Sequence, residues 1–209
     1  HPQSIFNEYY AKTFFTTQHT FAYFFTKDFI GSYNDFKQRI DEIQSVINIK
    51  GLDEQKQNII NKLSYINIIT SLDTFICDII LTKIIQDEES FNNFFNSIPP
   101  CKKKDEMTKL KEDNLVAQWE QKVIEYVMRT SYSNIDTIKD ILKELFKVSI
   151  IDTNGKMKKH FYYRNLLAHR NGRKKDGGYI NITNEELKSL ITDTQSIAKQ
   201  IQTKIKPEH

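Results

Sequence analysis

One window of the 209-residue chain gathers side chains that can move protons and hold anions. Between Gly155 and Lys175 lie eight cations, Lys156, Lys158, Lys159, Arg164, Arg170, Arg173, Lys174 and Lys175, and no acidic residue. Removing those eight from the formal net charge of +3 leaves −5 for the rest of the chain, so the positive potential is local and its natural partner is an anion. The same window holds an Arg-Asn-x-x-x-His string made by Arg164, Asn165 and His169. Arginine with histidine and no metal suits phosphodiester transesterification in RNA. Imidazole takes the proton from a ribose 2′-hydroxyl or delivers one to the leaving 5′-oxygen, and guanidinium neutralises the charge that builds on phosphorus. The products of that route are a 2′,3′-cyclic phosphate and a 5′-hydroxyl. DNA, lacking the nucleophile, is not a substrate. Base and acid are both needed, which favours two copies of His169, from two chains, around one scissile bond.

Spacing decides which of these side chains cooperate. A helix is expected from about Lys156 to Asn171, stopping at Gly172. On it Asn165 and His169, four apart, share a face with Tyr162 and Leu166 alongside. Arg164 lies about 140° around the axis from His169 at roughly 100° per residue. Its long stem sweeps part of that angle, and a second chain closes the gap more readily. Around the string, Lys158, Lys159, Arg170, Arg173, Lys174 and Lys175 are candidate phosphate contacts that add affinity without reading sequence. Tyr162 and Tyr163 are candidates to stack on bases, with one of the pair expected in the core. His160 and His19 read as ordinary structural histidines.

The elements that must position this window are helical. Only 6 Gly and 4 Pro leave few places for strands to turn. Aromatic-rich residues from Ser4 to about Asp28 form a first helix, and Phe36, Ile40, Ile43 and Ile47 mark a second from Tyr33 to Asn48. A long helix from about Asp53 to Ile85 carries Ile59, Leu63, Ile66, Ile69, Leu72, Ile76, Ile79 and Lys83 along one stripe, with Asp73 on its border. A short helix around Phe91 to Phe95 stops before Pro99-Pro100, and Lys102 to Lys104 reads as an exposed connection. One helix is expected from Asp105 to Arg129, and another opens at a Ser133/Asp136 capping box and runs through Phe146. Asp176 to Ile182 reads as a loop or short hairpin, and a Thr183/Glu186 capping box starts the last helix. The expected architecture is an all-α antiparallel bundle in one domain over residues 1–209, the aromatic-rich residues 1–50 packing on a core of residues 53–205.

Composition narrows the classes. Apolar residues at 39% against 27% charged describe a globular chain with a generous polar surface. No run of 18 uncharged apolar residues exists and the opening segment lacks a signal-peptide pattern, so neither a membrane nor secretion is expected. Cys77 and Cys101 have no Cys or His neighbour at ligand spacing, which leaves no structural zinc, no disulfide framework and no metal site. The cytoplasm is the expected location.

The Arg-Asn-x-x-x-His string near the end of a helix, in an all-helical sequence of this size, resembles the HEPN superfamily of ribonucleases, including standalone antiviral and toxin-type members and those of the RiboL-PSP-HEPN kind. By composition such a string arises by chance about once in a hundred chains like this one. The resemblance covers about residues 55–205, and it implies a four-helix core with additional N-terminal helices. It also implies that Arg164 and His169 are catalytic, that Asn165 is the polar residue following the Arg, and that a homodimer builds a composite site. The helix with Leu72, Asp73 and Phe75 is similar to an early helix of some members that carries an acidic residue, which gives Asp73 a supporting place. The implied activity is a metal-independent, cofactor-free endoribonuclease of toxin or antiviral-defence type, acting on RNA, with an antitoxin or defence-system protein as a possible partner. The alternative is a HEPN-like module that binds RNA or protein without cleaving, Arg164 and His169 then holding phosphate or bracing the dimer. One departure matters. Toxins paired with nucleotidyltransferase antitoxins commonly carry a Tyr two residues after the His, where this chain has Asn171, so control through that tyrosine is not expected.

Overall fold

Residues 27–205 are described by a computed structural model, and they fold as helices joined by short turns. The order is α1 (Phe29–Ile47), α2 (Glu54–Gln86), α3 (Glu88–Ser97), α4 (Lys102–Glu112), α5 (Val116–Arg129), α6 (Ile135–Phe146), α7 (Lys156–Arg170) and α8 (Asn184–Lys204). A single antiparallel bridge, Arg173 with Tyr179, is the one extended pairing among the described residues. The all-α expectation holds. The first expected helix, from Ser4 to about Asp28, lies outside the described residues except for Lys27 and Asp28, which are not helical.

Asp28 instead caps α1: its Oδ1 accepts from the Gly31 N–H at 2.5 Å. The helix therefore begins at Phe29, ahead of the Tyr33 start that the sequence suggested. Gly31 falls within the first turn, where a Cβ would sit 3.0 Å from the capping carboxylate.

α2 is the spine. Its 33 residues span about 50 Å, and α1, α3, α5, α6, α7 and α8 all pack on it. Ile68, Ile69, Leu72, Phe75, Ile76, Ile79, Ile80 and Leu81 are sealed from solvent, so the helix is apolar on nearly every side through this stretch. Each such side chain contributes roughly 1.5–3 kcal/mol of transfer free energy. The stripe begins later than expected: Ile59 and Leu63 are 51% and 56% exposed. The position that turns inward there is Asn61, whose Nδ2 donates to the Ile182 carbonyl at 2.8 Å and to Asn184 Oδ1 at 3.1 Å, fastening the entry to α8.

Three further expectations are corrected. The single helix from Asp105 to Arg129 is two, because Asn114 takes a left-handed φ of 59° and ends α4. The Asn114 and Leu115 N–H groups then reach back to Lys111 and Leu110 at 3.2 and 2.9 Å, a Schellman stop. Lys102 to Lys104 form the first turn of α4 rather than a connection, and the Lys104 ammonium donates to the Ile98 and Asn96 carbonyls at the end of α3. The cap of α6 is Asn134, which accepts from the Asp136 N–H at 2.9 Å, while Ser133 pairs with Ser131. Asparagine wins because its carbonyl stands one residue nearer the first helical N–H groups. The Thr183/Glu186 capping box of α8 is reciprocal, as the sequence indicated.

Candidate functional site

α7 carries the candidate string, and its inner face fixes its rotation. Met157, His160, Phe161 and Leu167 are buried where it meets α2 and α8. His160 is the central post. Its Nε2 lies 3.0 Å from Asp193 Oδ2 on α8 and its Nδ1 2.7 Å from the Tyr65 hydroxyl on α2. An ionised carboxylate only accepts, so Nε2 carries the proton and Nδ1 accepts from Tyr65. Burial holds the imidazole below its ordinary pKa, against the pull of Asp193. Both ring nitrogens are partnered within the fold, in keeping with the structural histidine expected there.

With that face turned in, Tyr162, Asn165 and His169 point out along one ridge. His169 is exposed and makes no hydrogen bond or ion pair to the described residues. Arg164 is half-buried between the two faces. Its Nη1 donates to Asn165 Oδ1 at 3.1 Å, so the stem swings toward the ridge and spends much of the angle that separates it from His169. Its Nε is buried without a hydrogen-bond partner, and an unmet donor of this kind costs about 1–3 kcal/mol. Behind it stands Asp73 on α2, half-buried, its Oδ1 accepting from the Tyr132 N–H in the turn between α5 and α6. Burial raises the Asp73 pKa, while the Tyr132 N–H and the charge of Arg164 act to lower it. Asp73 thus lies within range of the Arg164 charge but makes no hydrogen bond or ion pair with it among the described residues.

The end of α7 is shaped by two consecutive left-handed residues, Asn171 at φ 50° and Gly172 at φ 79°. A Cβ at Gly172 would meet Leu167 Cδ2 at 3.3 Å. The chain then doubles back: Lys174 N–H donates to the Gly178 carbonyl at 2.7 Å, Ile180 N–H to the Gly172 carbonyl at 2.9 Å, and Arg173 pairs with Tyr179. Arg170, Arg173, Lys174 and Lys175 line an open cleft of about 470 Å³ with Gly177. None of these four cations has a side-chain partner among the described residues.

The other cations of the window are placed differently. Lys156 pairs with Asp193 at 3.4 Å and Lys158 with Asp136 at 2.8 Å, while Lys159 lies over the Tyr163 ring at 5.0 Å. Lys158 is about 18 Å along the axis from Arg170, so Lys158 and Lys159 do not join the cleft. Tyr162 is 50% exposed, whereas Tyr163 leans on Tyr65 with ring centroids 6.3 Å apart, giving one outer and one inner tyrosine. Composition and spacing gave no reason to single out Tyr179. Its one signal is the Tyr-Ile-Asn-Ile alternation, which sends Ile180 and Ile182 into the core and leaves Tyr179 outside.

A family model described as RiboL-PSP-HEPN matches residues 34–207. The chain belongs to the RiboL-PSP-HEPN family. No curated protein and no solved structure matches it. The HEPN match starts inside α1 and takes in every later helix, so Asp73, the Arg164 to His169 string and the basic cleft all fall within it. In this HEPN chain no group of three or more His, Cys, Asp or Glu among the described residues is placed to hold a metal ion, and no helix there is long and apolar enough to cross a membrane.

Proposed function

We propose that the protein is a metal-independent endoribonuclease of toxin or antiviral-defence type, working as a homodimer in the cytoplasm. The observation that carries this reading is the adjacency of His169 to a cleft of four cations at the end of one helix, none of the five having a side-chain partner among the described residues. RNA phosphates bind the cleft and the scissile link lies across the ridge. His169 of one copy takes the 2′-hydroxyl proton, the 2′-oxygen attacks phosphorus, and the 5′-oxygen leaves with a proton from the second copy's imidazole. Arg164 offsets the charge gained at phosphorus, and its hydrogen bond to Asn165 sets the direction of approach. An antitoxin or another defence-system protein would restrain such an activity.

The test is incubation of the purified protein with labelled single-stranded RNA in EDTA. Fragments ending in 2′,3′-cyclic phosphate are expected, with none from the His169→Ala variant or from a strand carrying 2′-deoxy at the cut. Cleavage that persists in the variant, or that stops on chelation, refutes the reading. A second reading has one observation in its favour. Arg164 is half-buried with its Nε inside, which suits a bracing role in a HEPN module that binds RNA or a partner protein without cutting. RNA binding with no fragments would select it.

A further inference from the structure

Between residues 152 and 205 the large apolar side chains that stand exposed are both tyrosines, Tyr162 at 50% and Tyr179 at 62%. They flank His169 in the chain, one on the ridge and one past the cleft. Tyr179 is the better held. Ile180 and Ile182 on its C-terminal side are buried at 3% and 1%, and the Ile180 N–H is tied to Gly172 at 2.9 Å. On its N-terminal side the Gly178 carbonyl takes the Lys174 N–H, and the Gly178 N–H is held by Asp176 Oδ1 at 3.0 Å. That bond also turns the one acidic side chain of the turn toward the backbone. Across the bridge Tyr179 faces Arg173, a cation of the cleft, and directly opposed residues of a bridge project from the same face. The backbone at Tyr179 is thus tied on both sides, and its largely exposed ring leaves the same face of the bridge as Arg173, with no large aliphatic side chain exposed between residues 152 and 205. Tyrosine and arginine would also suit a protein-docking patch, but lysine is depleted at such patches, and Lys174 and Lys175 line this cleft. An exposed ring beside cations that are unpaired among the described residues fits a nucleobase and its flanking phosphates.

The geometry points to Tyr179 as a stacking platform for an unpaired base of RNA held in the basic cleft. This rests on the RNA reading of the same site given above. A paired base keeps both faces inside its duplex stack, so only an unpaired or extruded base offers one to the ring. The cleft then supplies affinity that depends on salt, and Tyr179 supplies affinity that does not.

Binding of the full chain carrying His169→Ala, which keeps the RNA intact, measures this directly by fluorescence anisotropy. The probe is a labelled oligouridine of about 12 nucleotides, tested free, annealed to its complement, and as an abasic strand of the same length. Adding Tyr179→Ala is expected to weaken the free strand about tenfold while leaving the duplex within about twofold and the salt dependence unchanged. Tyr179→Phe keeps the parent affinity, and the abasic strand binds the parent as weakly as the intact strand binds Tyr179→Ala. Equal affinity of Tyr179→Ala and its parent for the free strand, or equal affinity of the parent for strand and duplex, overturns the stacking assignment and leaves RNA binding standing. Failure of the parent to bind any of the three probes at low salt removes the RNA reading itself.

Discussion

The two ends of α7 carry similar charge and put it to different use. At the N-terminal end Lys156 and Lys158 are neutralised by Asp193 and Asp136, Lys159 rests on a ring, and His160 is locked between Tyr65 and Asp193. At the C-terminal end His169 and the four cleft cations find no partner within the described residues. One end satisfies its own groups and fixes the helix, and the other leaves them unpaired among the described residues. A charge count over the window does not separate the two. What separates them is whether acids from α6 and α8 reach across, which is a property of packing.

That contrast is most exposed to the histidines. His169→Ala is expected to lower RNA cleavage at least 100-fold, the low end of what a general acid or base contributes, with no change in the urea midpoint. His160→Ala is expected to do the reverse in kind. It leaves the buried Tyr65 hydroxyl unpaired and takes one partner from Asp193, which keeps Lys156 and Ser189, costs about 1–3 kcal/mol in urea unfolding, and lowers cleavage only as far as the folded fraction falls. If the two variants exchange these signatures, the division of α7 is wrong.

The cations come next. Lys174→Ala with Lys175→Ala should reduce the slope of log affinity for single-stranded RNA against log salt by about 1.4, two phosphate contacts' worth. The matched pair Lys156→Ala with Lys158→Ala should leave that slope unchanged, since those charges are already answered. A smaller effect is in pH. Folded His160 resists a proton that the unfolded chain accepts below about pH 6.5, so this residue favours the fold above that pH and disfavours it as pH falls further. The stability gap between the parent and His160→Ala should therefore narrow from pH 7.5 to pH 5.5 in parallel urea titrations, and a gap that widens would mean the folded imidazole is charged. Smallest of all, Lys158→Ala alone should alter neither midpoint nor RNA affinity measurably, as expected for an exposed pair.

Much of the frame was legible in the chain. The capping box at Thr183 and the stop at Gly172 follow from local chemistry, and the six-residue string led to the family that residues 34–207 match. The misses share a cause. Ile59 and Leu63 continue the period of α2 but face solvent, because at that level the inward face is taken by Asn61, Ser64 and Tyr65. The break at Asn114 turns on one residue accepting positive φ within an otherwise helical pattern. Within the candidate site, the Arg164 bond to Asn165 and the pairing of Lys158 with Asp136 depend on rotamers and on contacts between distant segments. Tyr179 depends on a bridge that closes only when Ile180 and Ile182 are buried.

α2 bears Asn61, which fastens the start of α8, and about three turns later Asp73, which lies in the field of Arg164 and takes the Tyr132 N–H. Both sit on one uninterrupted rod, so there is no slack between them. Inserting a single residue there would twist everything downstream by about 100° and advance it about 1.5 Å, swinging the carboxylate out of phase with the guanidinium while the far end stayed in register. Descendants of this chain are free to lengthen its turns, yet the count from Asn61 to Asp73 behaves as a fixed gauge.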